Sequence, residues 1–372
     1  MYRQNEGGSE IFTAFAMYGY LGVVKFLYDT GRIEPEVIRK GFVMAALGNS
    51  VDVMEFLLDT GHITTKDFDE AFTHAVNLPN KCTQALRFLC DKKRVSPAAV
   101  NQAFQSTLSY TSIKFLYENE CISNEAIVAA FKNAAGCGGD NRFGTSYTKE
   151  QVKIAMLLCK DNGIPPAVID EACVSAARNG QIKLFMCLSG DSRISPGKIS
   201  EAFVAATTNG HLKVVKYLRR DTRISLDALN DAFVNSAGLF RTAIMKRLYS
   251  KERLFPETIF KAFTEAASHG SMGNVQELAK YLSVEAHVPS SLKCKAFIYS
   301  ATLSRQCVVE TLGEQENSVW PLQTLKQALD AAQDEGIKNY IRKKLCDQLV
   351  DPVFPGRFDA VATLIANWTR AE

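Results

Sequence analysis

The sequence is poor in several features that would assign it to a special class of protein. Only 11 of its 372 residues are proline and 23 are glycine, too few for a collagen-like or disordered chain. No apolar run approaches the roughly 20 residues that a membrane-spanning helix needs. The 43 Lys and Arg residues are nearly balanced by 40 Asp and Glu, whereas a nucleic-acid-binding domain usually carries a basic stripe. We therefore expect a folded chain that binds neither membrane nor nucleic acid.

Cysteine and histidine patterns typical of metal sites are also missing. The ten cysteines form no CxxC pair, and the five histidines form no HExxH motif. Cys159 and Cys173 stand where neighbouring segments carry Leu or Phe, so we predict that both cysteines are buried and pack as small hydrophobic residues. We expect free thiols in a reducing, cytoplasmic compartment rather than a disulfide framework, and we predict no metal, cofactor or catalytic residue.

The N-terminal segment 1–12 is polar and lacks the apolar core of a signal peptide. If the natural protein is secreted, we expect that its signal peptide has been removed from this chain. The histidines are predicted to be structural, because a catalytic histidine needs partners around a pocket.

What the sequence does contain is a repeated pattern. An apolar opening residue is followed nine positions later by a central residue, and a closing leucine lies six positions before most of the following opening residues. The opening residues are Ile33, Ile63, Val95, Ile122, Ile164, Ile194, Ile224, Leu254, Val288 and Trp320. The central residues are Phe42, Phe72, Phe104, Phe131, Cys173, Phe203, Phe233, Phe263, Phe297 and Leu329. The closing leucines are Leu27, Leu57, Leu89, Leu116, Leu158, Leu188, Leu218, Leu248, Leu282 and Leu312. The modal period is 30 residues, and such periodicity is typical of repeat proteins.

One unit has the signals of a helix–turn–helix. Ser195 and Pro196 suit the N-cap and first position of a helix, and Ile194 and Ile199 match a hydrophobic staple. Asn209-Gly210 is predicted to end this helix, and the apolar spacing then predicts a second, short helix at 212–219. Equivalent first-helix starts are predicted at Ser96-Pro97, Ser123-Asn124 and Ser225.

A unit of this size cannot bury both of its apolar faces alone, so neighbouring units must stack. We predict an all-α fold, an α-solenoid of about eleven helix–turn–helix repeats forming one array over 1–372. Within it, 1–32 is an N-terminal partial or capping unit, 33–319 holds the repeats with an insert at 136–150, and 320–372 holds atypical repeats and a cap.

The segment 202–218 resembles the core of an ankyrin repeat. The matching pieces are Ala205-Ala206, Gly210-His211-Leu212 and Val214-Val215-Lys216-Tyr217-Leu218. The Thr-Pro-Leu-His start of that family and the segment that builds its β-hairpin are absent, so the hairpin fingers are expected to be largely missing. The resemblance implies a divergent ankyrin-like protein that binds other proteins.

Three functional hypotheses follow. The first is a non-enzymatic scaffold, favoured as a monomer, that binds a partner protein through the exposed helix face and the interhelical loops. The second is a secreted pathogen effector of the same architecture that captures a host protein in the host cytoplasm or nucleus. The third is an enzyme or enzyme regulator that uses the 136–150 loop. The predicted partner-binding side chains on that loop are Asp140, Asn141, Arg142, Phe143 and Tyr147.

An arginine precedes the opening residue in several units. These arginines are Arg32, Arg94, Arg193, Arg223 and Arg253. An acidic residue stands close before most of them, which favours Asp–Arg pairs that brace successive links. The alternative is a basic row that binds an acidic peptide or phosphate.

Overall fold

The computed structural model describes residues 4–78, 83–137, 148–249, 254–284, 288–314 and 320–350. Over those ranges the regular structure consists of 22 α-helices, and no strand occurs among them. The predicted all-α class is therefore confirmed. None of the helices in the described part is long and apolar enough to cross a membrane.

The chain divides into two compact units. The first comprises Met1–Ala176 with Gln181–Ser195, and the second comprises Ala177–Gly180 with Pro196–Glu372. The helices up to Ser189 are α1 (Gln4–Met17), α2 (Leu21–Asp29), α3 (Pro35–Leu47), α4 (Val51–Asp59), α5 (Thr65–Val76), α6 (Gln84–Asp91), α7 (Pro97–Ser106), α8 (Tyr110–Asn119), α9 (Asn124–Ala135), α10 (Lys149–Leu158), α11 (Pro166–Arg178) and α12 (Ile182–Ser189). The later helices are α13 (Pro196–Thr208), α14 (Leu212–Leu218), α15 (Leu226–Gly238), α16 (Thr242–Leu248), α17 (Pro256–Ser268), α18 (Met272–Val284), α19 (Ser290–Thr302), α20 (Gln306–Gly313), α21 (Leu322–Ala331) and α22 (Glu335–Val350).

Within each unit the helices pack in two rows. In the first unit α1, α3, α5, α7 and α9 pack on one another in order, while α2 packs on α4, α4 on α6, and α10 on both α8 and α12. In the second unit α13, α15, α17, α19 and α21 form one row, and the other row contains α14 on α16 and the series α18, α20, α22. Alternation of consecutive helices between two rows is the packing of a helical solenoid-like repeat.

The core includes most of the residues that the repeated pattern selects, although the opening residues Ile33, Val95 and Ile122 are only partly buried. The central residues from Phe42 to Phe297 are fully buried, and the closing leucines after Leu27 are buried as well. Cys159 and Cys173 are buried among them, as predicted. Burial of each Phe side chain contributes about 1.5–3 kcal/mol, so the row of central residues is a major source of stability.

The tenth central residue departs from the prediction. Leu329 is only partly buried, whereas Leu325 and Ala328 on the same helix are fully buried. Helix α21 packs on α19 and α22, and its buried residues are Thr324, Leu325 and Ala328. No later first helix among the described residues packs on α21, which accounts for the partial exposure of Leu329.

The helix starts follow the predicted capping chemistry. The hydroxyls of Ser96, Ser123 and Ser225 accept the backbone N–H three positions later at 3.1–3.2 Å. Helix α13 begins at Pro196, and the staple residues Ile194 and Ile199 are both buried.

A second set of hydrogen bonds joins each of these starts to the preceding first helix. The backbone N–H groups of Ser96, Ser123, Ser195 and Ser225 donate to the side chains of Asp69, Asn101, Asp170 and Ser200, at 2.7, 2.8, 2.9 and 3.1 Å respectively. Each acceptor stands six positions after an opening residue. Where proline replaces the serine, at Pro165, Pro289 and Pro321, the acceptor position carries Val128, Phe260 and Cys294. Proline has no N–H to satisfy, so the acceptor is needed only where the donor exists.

Candidate functional site

The loop predicted to bind a partner is only partly described. Asp140, Asn141, Arg142, Phe143 and Tyr147 lie outside the described residues. The flanking helices are α9, which ends at Gly136 in a left-handed conformation, and α10, which starts with a capping box between Thr148 and Gln151. The insert therefore joins α9 to α10, two helices that pack on each other.

The arginines before the opening residues bind backbone or side-chain atoms of the links, the segments that join the closing leucine of one unit to the opening residue of the next. Arg193 donates from Nη2 to the Cys159 carbonyl at 2.7 Å and from Nη1 to the Asp161 and Ile164 carbonyls at 2.9 and 3.1 Å. It also pairs with Asp191 at 2.7 Å, and this hydrogen-bonded pair holds the pKa of Asp191 below its usual range.

Arg94 repeats part of this arrangement, because its Nη2 donates to the Ile63 carbonyl at 2.8 Å. The predicted Asp–Arg pair that braces a link is therefore present at Arg193, whereas Arg94 braces its link through a backbone carbonyl and has no aspartate partner among the described residues. Like Arg193, Arg223 pairs with an aspartate, Asp221, at 2.7 Å. Arg253 lies outside the described residues.

Four successive turns between paired helices have a common backbone conformation. In each of them one residue has a positive φ, and these residues stand thirty positions apart: Gly180, Gly210, Phe240 and Gly270, with φ of 67°, 82°, 58° and 73°. In the later turn between α19 and α20 the residue is Ser304, with a φ of 52° and thirty-four positions after Gly270. Glycine adopts this conformation without steric cost. A phenylalanine there is strained by about 1–3 kcal/mol.

The first three of these four turns contact one another in order. The Nε2 atom of His211 lies 2.7 Å from the Arg178 carbonyl oxygen, and the ring occupies the space that a Cβ on Gly180 would fill. In the next turn Arg241 lies over Gly210, where a Cβ would stand 2.8 Å from the guanidinium carbon. The absent Cβ of each glycine makes room for a side chain of the following turn. These contacts place the His211 ring against the preceding turn.

We call the side chains that these turns display the turn edge. The turn edge consists of Arg178, His211, Lys213, Leu239, Phe240 and Arg241, all in the second unit. Leu239 and Phe240 are 43% and 63% exposed. Among the described residues no carboxylate forms an ion pair with Arg178, Lys213 or Arg241.

Sequence reasoning missed the turn edge, although a signal for it exists. Phe240 stands sixteen positions after Ile224, where Gly180 and Gly210 stand in the two preceding units. A bulky residue at a position otherwise held by glycine marks a conformation that is retained at a steric cost. Comparing the turns position by position would have exposed this substitution.

A pair of cysteines forms another notable cluster. The sulfur atoms of Cys159 and Cys187 lie 3.3 Å apart. Burial, followed by the hydrogen bond to Cys187, raises the pKa of Cys159 to about 12. Over the part of the chain that the structure describes, no group of three or more His, Cys, Asp or Glu residues is arranged to hold a metal ion.

Comparison with known proteins assigns neither a family nor a function to the chain. No model of a known protein family matches the chain, and no curated protein matches it. The function proposed below therefore rests on the sequence and on the described residues.

Proposed function

We propose that the protein is a non-enzymatic interaction scaffold. In this proposal it is a divergent, ankyrin-like α-solenoid of about eleven repeats with a modal period of thirty residues. It binds a partner protein through its interhelical turns and the exposed face of its first helices. The occurrence of Gly180, Gly210 and Gly270 in the same conformation at multiples of thirty residues supports the period.

The contact between consecutive turns is the observation that carries the proposal. His211 is hydrogen-bonded to the turn before it, and Arg241 lies over Gly210 of the turn before it, so the surface side chains of consecutive turns stand in one row. A preformed surface loses little conformational entropy on binding, and it can therefore present a few strong anchors to a partner.

The first helices extend this surface with side chains in equivalent positions. Lys261 on α17 and Lys295 on α19 each stand seven positions after an opening residue, and both are exposed. Because α17 and α19 pack on each other, these lysines lie on neighbouring helices of one row. The 136–150 insert is the other candidate contact in this proposal, through Asp140, Asn141, Arg142, Phe143 and Tyr147.

A cross-linked pull-down with the full chain tests the proposal, followed by titration of the purified partner. We expect saturable binding that weakens in the Lys261→Glu/Lys295→Glu variant or in a turn-edge variant such as Arg241→Glu. Lys280→Glu is the matched charge control, because Lys280 is an exposed lysine of α18, a second helix. A variant of the insert residues shows separately whether that loop contributes.

Two results would contradict the scaffold proposal. One is that the full chain captures no protein above background. The other is a partner whose affinity is the same for the wild type and for every variant of the first-helix face, the turn edge and the insert.

A further inference from the structure

Over the described part of the chain, no carboxylate lies within ion-pair distance of the turn-edge cations. The segments 178–180, 208–213 and 238–243 contain Arg178, Lys213 and Arg241 but no Asp or Glu. Glu265 of α17 lies 3.5 Å from His269, and its side chain lies over Gly238 without forming an ion pair with Arg241. The link arginines differ, because Arg193 and Arg223 each pair with an aspartate at 2.7 Å.

An exposed apolar side chain stands within this group of cations. Phe240 is 63% exposed and adjoins Arg241, whose guanidinium extends over Gly210 in the preceding turn. His211 of that turn contacts Arg178 and Gly180 in the turn before it. Three consecutive turns therefore form one continuous strip with cations along it and an aromatic residue at the third turn.

We propose that the turn edge docks an acidic peptide segment of the partner protein, one with a large apolar side chain beside its carboxylates. This inference rests on the proposed scaffold function and names the kind of partner it takes. Carboxylates of the peptide pair with Arg178, Lys213 and Arg241, and its apolar side chain packs on Phe240 and Leu239. Cations that lack an internal partner gain most from complementary charge across an interface.

A single nucleic-acid strand is the less favoured occupant. Strand-binding surfaces stack successive bases on a series of aromatic side chains. The turn edge offers one exposed aromatic ring, Phe240, among its six residues. A short peptide with one apolar anchor matches that arrangement.

The experiment selects peptides from a displayed random library on the immobilised full chain, and then titrates the synthetic peptides in solution. We expect the selected peptides to be enriched in Asp and Glu around an aromatic or aliphatic residue. Phe240→Gly and Arg241→Glu should each weaken binding by about tenfold or more, and added salt should weaken it further.

Two controls separate loss of binding from loss of folding. Phe240→Gly should unfold at the same temperature as the wild type or higher, because glycine relieves the positive φ. Lys280→Glu and Val284→Ser change an exposed charge and an exposed apolar residue of α18, outside the turn edge, and should bind the peptides normally.

Peptides without acidic enrichment, or acidic peptides that bind Phe240→Gly and Arg241→Glu as tightly as the wild type, would overturn the inference. Competition by a single-stranded oligonucleotide that binds the turn edge more tightly than the peptides would also overturn it. Binding lost only in Lys261→Glu/Lys295→Glu would overturn the turn edge as the site and leave the scaffold proposal intact. Failure to select any peptide overturns this inference, and the pull-down described above then decides the scaffold proposal independently.

Discussion

At the scale of the residue, a single glycine in a turn has two structural roles. Gly180 supplies the positive φ that reverses the chain and leaves the space that the His211 ring occupies. The sequence predicts the first role, because Asn179-Gly180 is a turn signal. It does not predict the second, because the contact joins residues about thirty positions apart.

These two contributions can be separated by alanine substitution. Gly270 has a φ of 73° but nothing within 4 Å of an added Cβ, so Gly270→Ala should cost about 1 kcal/mol from the backbone alone. Gly180→Ala should cost about 1 kcal/mol more, because it also displaces His211 from the Arg178 carbonyl. The midpoints of chemical unfolding measure both, and Gly180→Ala in a His211→Ala background should approach the cost of Gly270→Ala. Equal midpoints for the two single variants would mean that the ring contact adds nothing.

The thiol of Cys159 should be unreactive near neutral pH. Its pKa of about 12, raised by burial, leaves almost no thiolate, which is the form that alkylating agents attack. Timed labelling with iodoacetamide and mass spectrometry should show slow modification of Cys159 and fast modification of the exposed Cys307. The rate at Cys159 should rise as the pH approaches its pKa. Labelling of both cysteines at the same rate at neutral pH would refute this assignment.

At the scale of the helix, hydrogen bonds join the starts of α7, α9, α13 and α15 to the preceding first helix. The Ser-Pro signal predicts where α7 and α13 begin, and the structure places both starts there. The hydrogen bond from Ser96 to Asp69 is not predicted from either residue alone. This hydrogen bond can be inferred from the sequence only when the units are compared. Units with serine at the helix start have a polar acceptor in the preceding first helix, whereas units with proline there have none, because proline has no N–H to donate.

This pairing predicts coupling between two substitutions. Asp69→Val removes the acceptor of both the Ser96 N–H, at 2.7 Å, and the Ser96 hydroxyl, at 2.8 Å, and should cost about 1–3 kcal/mol. Ser96→Pro removes both donors, and the Ser96 φ of −70° already suits proline. Asp69→Val should therefore cost less in the Ser96→Pro background than in the wild type. A double-mutant cycle of unfolding free energies measures the difference, and identical costs in the two backgrounds would disprove the coupling.

At the scale of the molecule, most of the fold can be predicted from the repeated apolar positions. The opening, central and closing residues predict an all-α chain of paired helices, because the nine-residue step from opening to central residue recurs in every unit that has an opening residue. The expected burial of the central residue is wrong at Leu329, where the row of first helices ends among the described residues. The candidate site was less predictable: the pattern identifies buried positions, and the turn edge is built from exposed side chains whose neighbours lie in other units.

The scaffold proposal is tested most directly by hydrogen exchange on the full chain with and without its purified partner. We expect slower exchange of backbone amides in the turns that carry the turn edge, at 178–180, 208–213 and 238–243, and along the neighbouring first helices. Exchange in the second helices should change little, because their amides lie outside the proposed contact. Protection confined to the second helices, or no protection in any described segment under saturating partner, would contradict the proposed binding surface.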